Sequence, residues 1–248
     1  MTWAMAAGIA VVASAQQARG SAERQGGPPS KFYIAQNHRP PLAFQARFKP
    51  LPSKERSSIP MADARTENAN LETKLYGPGK DGLVLFHHWD EPKDDPTFVW
   101  TGNASASWAV AFRDINNYVD LTGLGKIRWR KEMTGFHQLR PIVKLADGMW
   151  LIGEHAESWT PDWHESEFWP AWIRWRRLDI NKVLEMPTGN PFENGRFEPN
   201  PDLSRVDEIG FTDLMAGSGS GQGGWTRFEW MDVFGVPIPR SAPAARVP

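Results

Sequence analysis

Cysteine is absent from the 248 residues, so packing alone has to hold a folded core together. An excess of charge is absent too: 28 Lys and Arg stand against 29 Asp and Glu, a formal net charge of −1. That balance argues against nucleic acid or a membrane surface as partner. Beyond the first residues no apolar run is long enough to cross a bilayer, and no membrane span is expected. Long amphipathic helices are missing, as are recognised zinc spacings. The glycine-rich stretch Gly217–Gly224 lacks the Lys-Ser/Thr ending of a phosphate loop and precedes a strand, so it reads as a loop joining the last two strands.

Tryptophan, by contrast, is abundant, with 13 residues, most of them between Trp89 and Trp230. The chain opens with an apolar run over residues 3–15 that ends in Ala13-Ser14-Ala15. A run of this length closing on small residues reads as a signal peptide cleaved after Ala15, which places the protein in the periplasm or outside the cell. Residues 16–70 carry Gly26-Gly27-Pro28-Pro29, Pro40-Pro41 and Pro50-Leu51-Pro52, the texture of a linker or surface strap. Residues 241–248 read as a disordered tail. Between them, over 71–240, short apolar runs alternate with Gly, Asn, Asp and Pro. The strand candidates are Gly82–His87, Trp108–Phe112, Lys126–Lys131, Leu139–Leu145, Met149–Gly153, Trp172–Leu178, Val206–Thr212 and Thr226–Phe234. Many short strands with turn signals predict an all-β fold, a β-sandwich or jelly roll of antiparallel strands preceded by the Pro-rich strap.

Asp147-Gly148 predicts a two-residue hairpin turn in which Leu145 faces Trp150 and Val143 faces Ile152 on a buried face. Arg140, Lys144 and His155 then share the other face. One string occurs twice, as Ile127-Arg128-Trp129-Arg130 and as Ile173-Arg174-Trp175-Arg176. Strand alternation puts Ile and Trp on one side and both Arg on the other. If all these strands share a sheet, Arg128, Arg130, Arg140, Lys144, Arg174 and Arg176 form one basic surface. Either neighbouring acids such as Asp207, Glu208, Glu229 and Asp232 neutralise it, or it lines a cleft for an anionic or richly hydroxylated ligand.

The segment His155–Trp169 gathers two His, four acids and three Trp. Trp159 and Trp163 are candidates for stacking on sugar rings. His164, Glu165, Glu167 and His155 are the candidate general acids and bases. A self-packed Ω-loop is the structural alternative. The sequence singles out no cofactor; calcium is a plausible structural ion, with Asp94, Asp95, Asp114 and Asp232 available as oxygen ligands.

Val206–Leu214, the glycine-rich stretch and Trp230–Gly235, together with Trp108–Arg113 and Gly148–Leu151, resemble the strands of bacterial concanavalin A-like jelly rolls. The texture is similar to that of carbohydrate-binding modules and of the 3-keto-disaccharide hydrolase group, over roughly residues 75–240. The opening Gly-Phe and Leu-Phe-Asn-Gly run of that hydrolase group is absent, and no family active site is carried over. The resemblance implies an exported carbohydrate-active sandwich that binds a glycan or glycoside, with hydrolysis or elimination as chemistry it could carry. Two alternatives stand beside it: a non-catalytic binding or accessory module, and a structural protein whose strap docks on a neighbouring chain to build an oligomer.

Overall fold

The computed structural model describes residues 39–51, 57–87, 95–180, 197–219 and 223–241. The expected signal peptide, the strap as far as residue 38 and the tail from 242 onward lie outside the described residues. All the strands belong to one unit that begins at Pro40.

Among the described residues, sixteen strands form two antiparallel sheets. They are β1 (Leu42–Arg47), β2 (Ser57–Pro60), β3 (Leu71–Tyr76), β4 (Val84–His87), β5 (Thr97–Trp100), β6 (Trp108–Asp114), β7 (Asn117–Asp120), β8 (Lys126–Met133), β9 (Arg140–Leu145), β10 (Trp150–Gly153), β11 (His164–Phe168), β12 (Trp175–Leu178), β13 (Phe197–Glu198), β14 (Val206–Asp213), β15 (Thr226–Phe234) and β16 (Val236–Pro239). The seven-stranded sheet runs β11-β8-β15-β5-β4-β2, with β1 also paired to β15. The nine-stranded sheet runs β13-β12-β10-β9-β14-β6-β3, with β7 joining β14 and β16. The expected all-β sandwich is observed, and no helix among the described residues is long and apolar enough to cross a membrane.

The core lies between the sheets. In β8 burial alternates strictly, so Ile127, Trp129, Lys131 and Met133 point inward while Arg128 and Arg130 point out. From β15, Phe228, Met231 and Val233 face Trp108, Val110 and Phe112 of β6 and Ile209 and Phe211 of β14. The Phe211 and Phe228 rings stack across the two sheets with centroids 3.8 Å apart.

Two expectations about local structure change. Residues 42–47 and 57–60 fall within the span assigned to a strap, yet they are strands β1 and β2 of the seven-stranded sheet. Their short length and flanking Pro residues hid a pattern that pairing with β15 and β4 enforces. The hairpin is real, but its register is one residue off. Lys144 pairs with Trp150, Val143 with Leu151 and Ile142 with Ile152. The loop holds three residues, Ala146, Asp147 and Gly148, closed by Leu145 N–H donating to the Met149 carbonyl at 2.8 Å. Gly148 takes φ +91°, the left-handed position of a three-residue loop. A slip of one residue flips faces: Val143, Leu145 and Leu151 face the main core, while Trp150 lies on the opposite face beside Lys144.

Candidate functional site

The repeated Ile-Arg-Trp-Arg strings alternate as expected but sit in different sheets. Arg128 and Arg130 point from the outer face of the seven-stranded sheet. Arg128 pairs with Glu165 at 2.7 Å, and Arg130 pairs with Glu229. Arg130 also lies over the Trp163 ring at 5.1 Å, and the Trp163 indole donates to Asp95. Arg174 precedes β12 and Arg176 lies within it, at the edge of the nine-stranded sheet. The single basic surface proposed from the sequence therefore does not exist: its two halves look away from each other across the core.

The hairpin's outer face is not a polar cleft either. Lys144 bonds Glu208 at 2.9 Å, and the Tyr76 hydroxyl donates to the same carboxylate at 2.7 Å. Tyr76 meets Trp150 edge to face, with centroids 5.0 Å apart. Burial and the Glu208 carboxylate push the Tyr76 hydroxyl pKa up. Between Lys144 and Arg140, Ile142 and Ile152 are buried in a second apolar cluster with Ala109, Leu178 and Ile180. Arg140 bonds the Glu154 carbonyl and Gln138, and burial lowers its pKa.

The segment after β10 carries the densest polar chemistry. Glu157 sits in a bridge with Leu139, two backbone bonds of 2.8 and 2.9 Å tying the strands together. Its carboxylate accepts from Ser166 Oγ, from His155 Nε2 at 2.9 Å and from Trp129 Nε1 at 3.0 Å. Lys131 Nζ, 1% exposed, lies 3.0 Å away. Burial raises the Glu157 pKa, but the His155 and Ser166 hydrogen bonds and the Lys131 ammonium outweigh it and hold it at about 2. His155 stacks on Phe168 with centroids 4.7 Å apart. The result is a rigid knot that anchors the segment from 154 to 160.

Above the knot, Thr160 N–H donates to the Met133 carbonyl and Met133 N–H to Thr160 Oγ1. The segments 133–139 and 157–160 are thus locked side by side. From these two segments Trp159 and Phe136 project with 61% and 80% exposure. Gly135 and Gly224 abut so closely that a Cβ on either would meet backbone at 2.3 or 2.1 Å, which fixes residues 223–224 against this turn. Beneath Phe136, His137 and Asp213 form a buried hydrogen-bonded pair, each 1% exposed.

The proposed acids and bases do not converge. His155 belongs to the knot, whereas residues 164–168 form strand β11 instead of a loop. Glu165 and Glu167 point to the opposite side of β11 from Ser166, and salt-bridge Arg128 and Lys126 at 2.7 and 2.8 Å. His164 is exposed at the start of that edge strand. For calcium, Asp94 lies outside the described residues; Asp95 accepts from Trp163, Asp114 caps the turn to Asn117, and Asp232 sits on the outer face of β15. Among the described residues, no three His, Asp or Glu side chains gather to hold a metal. Sequence reasoning missed Lys131, Phe136, His137, Ser166 and Asp213. For Lys131 the signal was present: strand parity places it on the same face as Trp129.

These observations define a two-sheet antiparallel β-sandwich with an aromatic, loop-bearing end. No family model matches the chain, and no curated protein matches it in sequence. Among solved structures it is similar to a family 29 carbohydrate-binding module complexed with mannohexaose, with TM-score 0.37 and 10% identity over 73% of this chain and 92% of that one. It is also similar to a family 11 carbohydrate-binding module from Clostridium thermocellum in complex with a mixed-linked tetrasaccharide, with TM-score 0.32 and 12% identity over 77% and 96%. The sandwich assignment itself rests on this chain's own strand pairing.

Proposed function

We propose that the protein is a saccharide-binding sandwich whose ring-stacking platform is Trp159 with Phe136. The observation that carries the reading is the exposure of two large aromatic side chains, at 61% and 80%, on segments held rigid by paired backbone bonds. Exposing such surface costs free energy unless a partner covers it, and flat aromatic rings suit the apolar C–H faces of sugars. Rigidity beneath the platform, supplied by the Glu157 knot, limits the ordering cost of binding. His155, 29% exposed on its side chain, supplies a hydrogen-bonding group at the foot of the same segment. A binding role is favoured over hydrolysis because Glu165 and Glu167 are each engaged in an ion pair and lie across β11 from His155. With the export expected of its N-terminal run, such a module would meet its glycans outside the cytoplasm.

A glycan array followed by titration calorimetry tests this. A neutral oligosaccharide should bind, and Trp159→Ala should weaken it about fivefold, the loss of roughly 1 kcal/mol of stacking. Affinity indifferent to both Trp159→Ala and Phe136→Ala, or no glycan bound at all, would rule the platform out.

A further inference from the structure

Next to the platform's segment lies a second concavity that the stacking function leaves unused. It is a cleft of about 280 Å³ lined by Pro170, Ala171, Ile173, Arg174, Phe197 and Glu198, among others. Its walls are the crossover from β11 to β12 and the edge strand β13, which pairs Trp175 with Glu198 and Arg176 with Phe197. Three features mark it as a binding site and not a packing defect. Arg174 is 69% exposed on its side chain, a high value for a cation at the wall of a cleft. Its guanidinium carbon lies 4.9 Å from the centre of the Phe197 ring, which orients the fork without using its N–H donors. And the neighbouring acids are committed elsewhere. Glu154 gives its 3.0 Å contacts to Arg176 and comes only within 3.6 Å of Arg174 Nε, beyond hydrogen-bond reach. Glu198 bonds Arg177 at 2.6 Å.

Among the described residues, Arg174 meets an acid only through the 3.6 Å contact with Glu154, which leaves its guanidinium charge at the wall of the cleft. Phe197, 37% exposed, offers an apolar ring beside that charge. A planar guanidinium with open donors selects a planar carboxylate held in a two-bond fork. The volume falls just below the roughly 300–1,000 Å³ of full ligand pockets, which suits one ring in place of a chain.

We propose that this cleft is an acidic-sugar subsite in which Arg174 takes the carboxylate of a uronate ring and Phe197 covers the ring's apolar side. The proposal rests on the saccharide-binding reading and adds the chemical class of the ligand. The Glu154–Trp159 segment connects the cleft to the platform, since Glu154 N–H donates to the Arg174 carbonyl at 2.9 Å.

The test is calorimetric titration of the full protein with three probes of matched length. These are an oligogalacturonate, the same oligomer fully methyl-esterified, and a sulfated galactan oligosaccharide. The free acid should bind at least fivefold more tightly than its ester, and the gap should shrink at high salt. Arg174→Gln should erase the gap, and Phe197→Ala should weaken the acid. Arg174 is exposed enough that folding should survive its replacement, which a thermal melt of each variant verifies. Equal affinity for acid and ester, a preference that persists in Arg174→Gln, or a preference for the sulfated probe overturns the acidic-sugar subsite. If the ester still binds and loses affinity in Trp159→Ala, the platform reading survives that failure. If none of the probes or array glycans binds, both readings fall together.

Discussion

At the scale of single residues, the densest buried electrostatics surround Glu157. Lys131 is 1% exposed and Glu157 11% on their side chains, and the groups around the carboxylate come from β8 (Trp129 and Lys131), from β11 (Ser166) and from nearby His155. A buried ion pair contributes little net stability, but removing one partner strands the other charge. Glu157→Gln is therefore expected to cost about 3–5 kcal/mol in urea unfolding. Pairing it with Lys131→Met should recover part of that loss; a double variant no more stable than Glu157→Gln would mean that Lys131 is satisfied by other groups. The same carboxylate sets an acid limit. Its folded pKa of about 2 lies below the ordinary value of 4.5. A depressed carboxylate stabilises the fold fully above pH 4.5 and loses that contribution as pH falls through 4.5 towards 2. The contribution is of order 3 kcal/mol. Stability measured against pH should fall over that window, and the Glu157→Gln protein should show a flatter profile.

At the scale of the element, the β9–β10 hairpin shows how one loop residue redirects several side chains. Counting two loop residues puts Trp150 in the core; the three-residue loop puts it outside, against Lys144 and Tyr76. Gly148 sits at φ +91° with open space where a Cβ would point. Gly148→Ala should cost about 1–2 kcal/mol from backbone strain alone. A neutral substitution would show that the loop can relax into the two-residue form. Element parity proved more robust than register. In both repeated strings Ile and Trp face in and the two Arg face out, whatever sheet they join.

At the scale of the whole molecule, the two Arg strings end on opposite faces of the sandwich. On the seven-stranded sheet, Arg128 and Glu165 form an exposed pair, 36% and 51% exposed on their side chains. Such a pair is worth about 0–1 kcal/mol. Arg128→Ala should thus change stability by no more than that and leave glycan affinity untouched, whereas Trp159→Ala or Arg174→Gln alters binding. An Arg128→Ala protein with weakened glycan binding would move the site to the other sheet.

Much of the architecture was legible in the amino-acid order. Alternating apolar runs, the Asp147-Gly148 turn and the absence of helical periodicity determine an all-β chain, because side-chain period and turn preference are local properties of the backbone. The eight runs picked out as strands all overlap observed strands. Aromatic density between residues 155 and 169 likewise pointed to the segment that carries Trp159. What local pattern lacks is any record of which strand lies beside which. That Lys126–Met133 pairs with β15 while Trp175–Leu178 pairs with β10 follows from long-range packing of the core faces. Only that pairing decides that Lys131 meets Glu157, that Glu165 is spent on Arg128, and that Arg174 stands open beside Phe197. Sequence distance sets none of these meetings: each depends on burying both apolar faces of the sandwich at once.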